Sequence, residues 1–125
     1  LGTLATDDLG TSYVTSGTSQ EIERIDNNGI MVWHANNPGF SQEYWSITFN
    51  CDNTKLIVGG TQTQSLLSFD FEATIFDIDI NNGSVISSAI VATTNIGGIG
   101  ATPVEVRSIS SSKNAKYIFL THIMM

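Results

Sequence analysis

Apolar and polar residues alternate along the chain in short stretches: Trp45-Ser-Ile-Thr-Phe49, Lys55-Leu-Ile-Val58, Ala73-Thr-Ile-Phe-Asp-Ile-Asp-Ile80, Ser84-Val-Ile86 and Lys116-Tyr-Ile-Phe-Leu120. A period of two sends successive side chains to opposite faces of a strand, and Ile, Val, Thr, Tyr and Phe suit a pleated backbone. Turn formers separate the stretches: Asn27-Asn-Gly29, Cys51-Asp-Asn-Thr54, Asn81-Asn-Gly83 and Ser111-Ser-Lys-Asn114. Asn and Gly supply at least cost the positive φ that a tight hairpin turn requires. No ten-residue window carries an apolar stripe at helical spacing, so the pattern predicts an all-β antiparallel meander without helix.

The stretches also repeat. Asp52-Asn-Thr-Lys-Leu-Ile-Val58 superposes on Lys113-Asn-Ala-Lys-Tyr-Ile-Phe119 at an offset of 61 and on Asp8-Leu-Gly-Thr-Ser-Tyr-Val14 at an offset of 44. The two Asn-Asn-Gly turns lie 54 apart, which locates an insertion of about ten residues between Val58 and Ala73. A period near 44 with four strands per unit is the signature of a β-propeller blade. The second blade then takes its strands from residues 45–49, 55–59, 73–80 and 84–91. In this reading blade 1 covers about 1–34, blade 2 about 45–91, and an incomplete blade 3 about 104–125. Two and a half blades fall short of the roughly 160 residues that a four-bladed ring needs, so a partial chain of a larger protein is expected.

The order Trp45-Ser-Ile-Thr-Phe49, a turn with Asp52, Lys55-Leu-Ile-Val-Gly-Gly60, Ile75-Phe-Asp-Ile-Asp79 and Asn82-Gly83 resembles WD40-like, YVTN-type and quinoprotein-like propeller repeats. Ile25-Asp-Asn-Asn-Gly-Ile-Met-Val-Trp33 is similar to the blade-closing stretch of the quinoprotein-like branch, in which a Trp ends the outer strand. The resemblance implies the fold and specifies little chemistry. Trp33 aligns with Ser87 in the next blade, so the stacked tryptophan collar of quinone-dependent dehydrogenases is not repeated, and the Trp-Asp dipeptide of WD40 blades is absent.

Composition narrows the class of function. The 125 residues carry a net charge of -7 with five Lys and Arg, scattered singly, whereas Ser and Thr number 28 and Asn 10. Phosphate contacts need clustered cations, so nucleic acid is excluded as a partner. No apolar run reaches the roughly 18 residues of a membrane helix, so membrane insertion is not expected. Cys51 stands alone and forms no intrachain disulfide or cysteine-based zinc cluster. The Ser-, Thr- and Asn-rich, Lys-poor composition resembles bacterial secreted surface proteins, which gives an extracellular or cell-surface expectation.

Individual residues offer little catalytic chemistry. His34 and His122 have no second His nearby in sequence and read as structural or solvent-facing. Asp77 and Asp79, at i and i+2 of one strand, share a face where a cation site is conceivable, but they read more simply as solvating a blade face and its turn. Asp7, Asp8 and Asp52 read as turn residues that accept hydrogen bonds from their own backbone. Cys51 lacks a His partner, and Gly97-Gly-Ile-Gly100 is followed by no helix to bind phosphate. Trp33 and Trp45 are expected to pack between blades. No catalytic residue, metal or cofactor is expected.

Topology singles out one surface. In a meander the first and third turns share one end, and here both are short. The opposite end collects the variable connections over 35–43, 61–72 and 93–103, which is where β scaffolds place recognition. That end holds Phe40, Glu43, Tyr44, Leu66, Phe69, Asp70 and Phe71, an aromatic and acidic mixture suited to a protein or carbohydrate partner. The expected function is a non-catalytic binding or scaffold module of a larger exported or cell-surface protein. The alternatives are part of a quinoprotein-like or hydrolytic propeller enzyme whose active site lies in other blades, and an array that only spaces other domains.

Overall fold

The computed structural model describes residues 3–17, 19–37, 43–50, 52–63, 71–93, 104–111 and 118–124. Its described residues form ten strands and no helix. Sheet 1 consists of β1 (Leu4–Thr6), β2 (Ser12–Thr15), β3 (Glu21–Ile25) and β4 (Met31–Asn36), and sheet 2 of β5 (Glu43–Phe49), β6 (Lys55–Thr63), β7 (Phe71–Asp79) and β8 (Val85–Thr93). A third unit is the hairpin of β9 (Val104–Ser111) and β10 (Ile118–Met124). Every neighbouring pair is antiparallel and consecutive in sequence, so each sheet is a meander.

The registers refine the arithmetic of the repeat. Val14 faces Glu23 across sheet 1 and Val58 faces Phe76 across sheet 2, so the second strands are offset by 44 and the third by 53. The insertion between β6 and β7 is therefore nine residues, and the tenth lies in the β7–β8 turn. That turn runs from Asp79 to Gly83, whereas its counterpart runs from Asp26 to Gly29. The inserted stretch is also less loop-like than its polar residues suggest. Thr61, Gln62 and Thr63 prolong β6 and pair with Ala73, Glu72 and Phe71 of β7. Ala35, Glu43 and Thr93, assigned from sequence to connections, are likewise strand residues.

Sheet 2 buries both faces of its strands β5, β6 and β7, while β8 is exposed over 85–91. On one face Ile47, Leu56, Val58, Phe76 and Ile78 pack against Tyr13 and Ile22 of sheet 1, with the Tyr13 ring set edge-on to Phe49 at 5.5 Å and 84°. Each such side chain contributes roughly 1.5–3 kcal/mol by leaving water. On the other face Gly59 has no side chain, and a Cβ there would run into Val106 of β9 and Ser46. This glycine is what lets the hairpin approach.

The sheets are also keyed together by polar contacts. Trp33 Nε1 and Arg24 Nη1, from facing positions on β4 and β3, both donate to the carbonyl of Ile80 in the turn after β7, at 3.2 and 3.3 Å. Asn37 Nδ2 donates to the carbonyl of Gly83 at 2.9 Å. Gly83 has φ +78, and a Cβ there would lie 2.5 Å from Trp33 Cζ3 and 2.6 Å from Ala35 Cβ. Gly29 has φ +81 but open space around it. Trp33 thus packs between sheets as the sequence predicts, and it does so by covering a turn.

The difference between the two glycines is measurable. Gly29→Ala is expected to cost only the left-handed backbone penalty of about 1–2 kcal/mol. Gly83→Ala adds a steric conflict worth roughly 1–3 kcal/mol more. Urea unfolding midpoints should separate the variants in that order, and equal losses would show that the Gly83–Trp33 contact does not hold the sheets.

Candidate functional site

Two ends of the sheets differ in kind. At the turn end, each of the four turns within sheets 1 and 2 is pinned by an Asx side chain. Asp7 Oδ1 accepts from the backbone N–H groups of Leu9 and Thr11, both at 2.9 Å, and Asp26 Oδ1 accepts from those of Asn28 and Ile30, also at 2.9 Å. The β5–β6 turn uses Asn50 Oδ1 for Lys55 N–H at 3.0 Å, with Asn53 at φ 56, and the β7–β8 turn uses Asp79 Oδ1 for Asn81 N–H at 2.8 Å. Asp52 accepts from the hydroxyl and amide of Thr54, which hold its carboxyl below the usual carboxylate range. Asp7 and Asp52 are thus the turn residues the sequence predicts.

Three of these turns border an open cavity of about 380 Å³ between sheets 1 and 2, lined by Asp7, Asp8, Leu9, Tyr13, Arg24, Asn53, Ile80 and Asn81. Tyr13 is buried, and its hydroxyl titrates above the usual range. Burial is the main cause, the neighbouring Arg24 guanidinium counteracts it, and Asp7 adds to it. Arg24 lies over the Tyr13 ring, 5.6 Å from its centre, while its buried Nε has no hydrogen-bond partner. Sequence reasoning passed over this cavity because its residues come from four separate stretches. One signal existed: Arg24 shares the inward face of β3 with Ile22, a charge where alternation calls for an apolar side chain.

At the opposite end the pairing of β6 with β7 outruns sheet 1. Thr15 corresponds to Gly59 at the offset of 44, and four more pairs follow, from Gly60 with Thr74 to Thr63 with Phe71. At about 3.4 Å per residue this carries the hairpin roughly 13 Å further. A bulge in β5 sets Trp45 apart from the ladder, since Tyr44 pairs with Gly60 and Ser46 with Gly59. Half-buried Trp45 donates through Nε1 to Glu43 Oε2 at 3.2 Å. The core position predicted for Trp45 is thereby modified: it sits at the sheet end beside a carboxylate.

Of the contact residues expected here, Glu43 opens β5 and Phe71 opens β7. Phe40, Phe69 and Asp70 lie outside the described residues, as do Leu66, Cys51 and the 97–100 glycines. Tyr44 requires correction. Its side chain is fully buried, with its ring 5.1 Å from that of Phe76, so it belongs to the core and offers a partner no surface. Strand alternation puts it inward because it shares a face with Ile47 across the bulge. Burial pushes its hydroxyl pKa up to about 12, opposed by a hydrogen bond with Asn37.

The remaining candidates are engaged locally. Asp77 Oδ2 accepts from Ser87 Oγ at 3.0 Å while Asp79 holds its turn, so the two carboxylates serve different partners. His34 lies exposed between Glu23, 3.0 Å from Nδ1, and Glu21, 3.5 Å from Nε2. These carboxylates flank the ring on opposite sides and do not converge on a common point. Among the described residues no group of three His, Cys, Asp or Glu side chains is placed to hold a metal ion.

No family model matches the chain, and no curated protein matches it. Among solved structures, Kuenenia stuttgartiensis hydrazine synthase, a propeller-containing protein, is similar over 95% of this chain, with a TM-score of 0.65 and 18% identity. The chain spans 30% of that protein's length. At this identity the likeness shows the fold alone: antiparallel sheets that fit a propeller-like arrangement.

Tyr44 gives a pH prediction. Its folded pKa lies above its unfolded value near 10, so its stabilising contribution is complete below pH 10 and is lost as pH rises towards 12. Two units correspond to roughly 2–3 kcal/mol. Denaturant titrations should show that loss between pH 10 and 12, and Tyr44→Phe should flatten this part of the profile. An unchanged slope in the variant would refute the assignment.

Proposed function

We propose that the chain is a non-catalytic run of propeller blades, serving as a binding or scaffold module in a larger exported or cell-surface protein. Its contact surface is the long-connection end, and its partner is a protein or a glycan. The observation that carries this reading is the extended β6–β7 ladder, which lifts one hairpin clear of sheet 1 while the opposite turns keep nearly constant length. The bulge at Trp45 supports it, because an indole beside the Glu43 carboxylate combines a flat apolar face with a hydrogen-bond acceptor. Such pairs suit sugar rings and interface side chains alike. In this reading the blades are consecutive members of a ring completed by other chain segments.

A second reading has one observation in its favour: the structural neighbour is by its title a synthase, and this chain corresponds to less than a third of it. The segment would then belong to a quinoprotein-like or hydrolytic enzyme whose active site is formed by other blades. A bound quinone or divalent cation, detected by absorption spectra or mass measurement of the full-length protein, would support that reading.

The first reading is tested by combining Phe40→Ala, Phe69→Ala and Phe71→Ala. Affinity for ligands identified on a printed glycan array or in a binary protein screen should fall by about tenfold or more, equivalent to about 1.4 kcal/mol. The midpoint of thermal unfolding should stay within a few degrees, about what a sub-kcal/mol change produces. Unchanged affinity in a folded triple variant would overturn the assignment of this end as the contact surface.

A further inference from the structure

The cavity at the turn end has a charge arrangement unlike that of a structural crevice. We propose that it is a binding site for a small zwitterion of the α-amino-acid class, with the ligand carboxylate at Arg24 and its ammonium at the Asp7–Asp8 rim. This assignment is independent of the long-connection surface, which lies at the other end of the sheets.

Arg24 carries the first half of the argument. Its guanidinium forms part of the cavity wall, donates to the Ile80 carbonyl at 3.3 Å, packs over the Tyr13 ring and is hydrogen-bonded to the Tyr13 hydroxyl. A planar carboxylate matches the guanidinium in both charge and geometry.

The carboxylates carry the second half. Asp7 and Asp8 line the same cavity, in which Arg24 is the sole cation among the lining residues. A simple anion would meet two negative charges, and a simple cation would meet the guanidinium. A molecule with separated charges of both signs meets neither penalty. Asp7 uses Oδ1 for its turn and retains acceptor capacity on Oδ2, and Asp8 is exposed.

Size and rigidity fit the same class. A cavity of about 380 Å³ holds one amino acid, and Leu9 and Ile80 offer apolar contact to its side chain. The Asx-pinned turns hold the walls in place before any ligand arrives, which lowers the ordering cost of binding.

The test is titration of the intact ¹⁵N-labelled chain with L-leucine, with N-acetyl-L-leucine and L-leucinamide as probes lacking the ammonium and the carboxylate respectively. Saturable shifts are expected at the amides of Asp8, Leu9, Tyr13, Arg24 and Asn81, with each control weaker by about tenfold or more. Arg24→Gln should lose L-leucine binding by a similar factor, and Asp8→Asn, at an exposed position, should weaken it by about threefold or more without disturbing the fold. No saturable response by about 50 mM, well beyond the weak end of specific small-ligand affinity, would overturn the proposal. So would equal binding of either control, or retained affinity in a folded Arg24→Gln. Should that variant fail to fold, the two controls and Asp8→Asn decide.

Discussion

Strands that are apolar on both faces cannot remain open to water, and the inner strands of sheet 2 are such strands. β6 presents Leu56 and Val58 to one side and Ile57 to the other, with buried positions along most of its length. Burial on both faces needs a layer on each side, and sheet 1 and the β9–β10 hairpin supply them. The rest of the architecture follows from this requirement. Gly59 exists because β9 must come close, Tyr13 and Ile22 point inward because sheet 1 is the cover, and the Ile80 carbonyl becomes the meeting point of two donors because the layers must also be held in register.

The meander was legible in the sequence because its two determinants are local: alternation with a period of two, and Asn- and Gly-rich turns that fix hairpin geometry. The repeat was legible for the same reason, since Asp52 to Val58 and Asp8 to Val14 preserve turn and strand together. Strand ends at the long connections were not. Thr61, Gln62 and Thr63 have the polarity of a loop, and only the facing residues Phe71, Glu72 and Ala73 make them a ladder. The single residue added between Asp79 and Gly83 merged with the larger insertion because sequence offsets report only the sum.

The candidate sites divide along the same line. Glu43 and Tyr44 adjoin the same variable connection, yet Tyr44 turns into the core, a matter of one step in strand phase. The turn-end cavity was invisible because no stretch of sequence contains it: Asp7, Arg24, Asn53 and Asn81 meet only when two sheets stack. Arg24 on an inward face was the one local irregularity. Places where a local rule is broken are where a fold tends to lodge something other than stability.

The contact between Trp33 and Gly83 bears on the modularity of such arrays. The positions that hold Arg24 and Trp33 in sheet 1 hold Asp77 and Ser87 in sheet 2, where they bond to each other. Each junction therefore carries its own chemistry, with the key in one unit and the lock in the next. Exchanging or duplicating a single unit would set an indole against a turn not shaped for it, so the exchangeable module here is the junction between two sheets and not the single sheet.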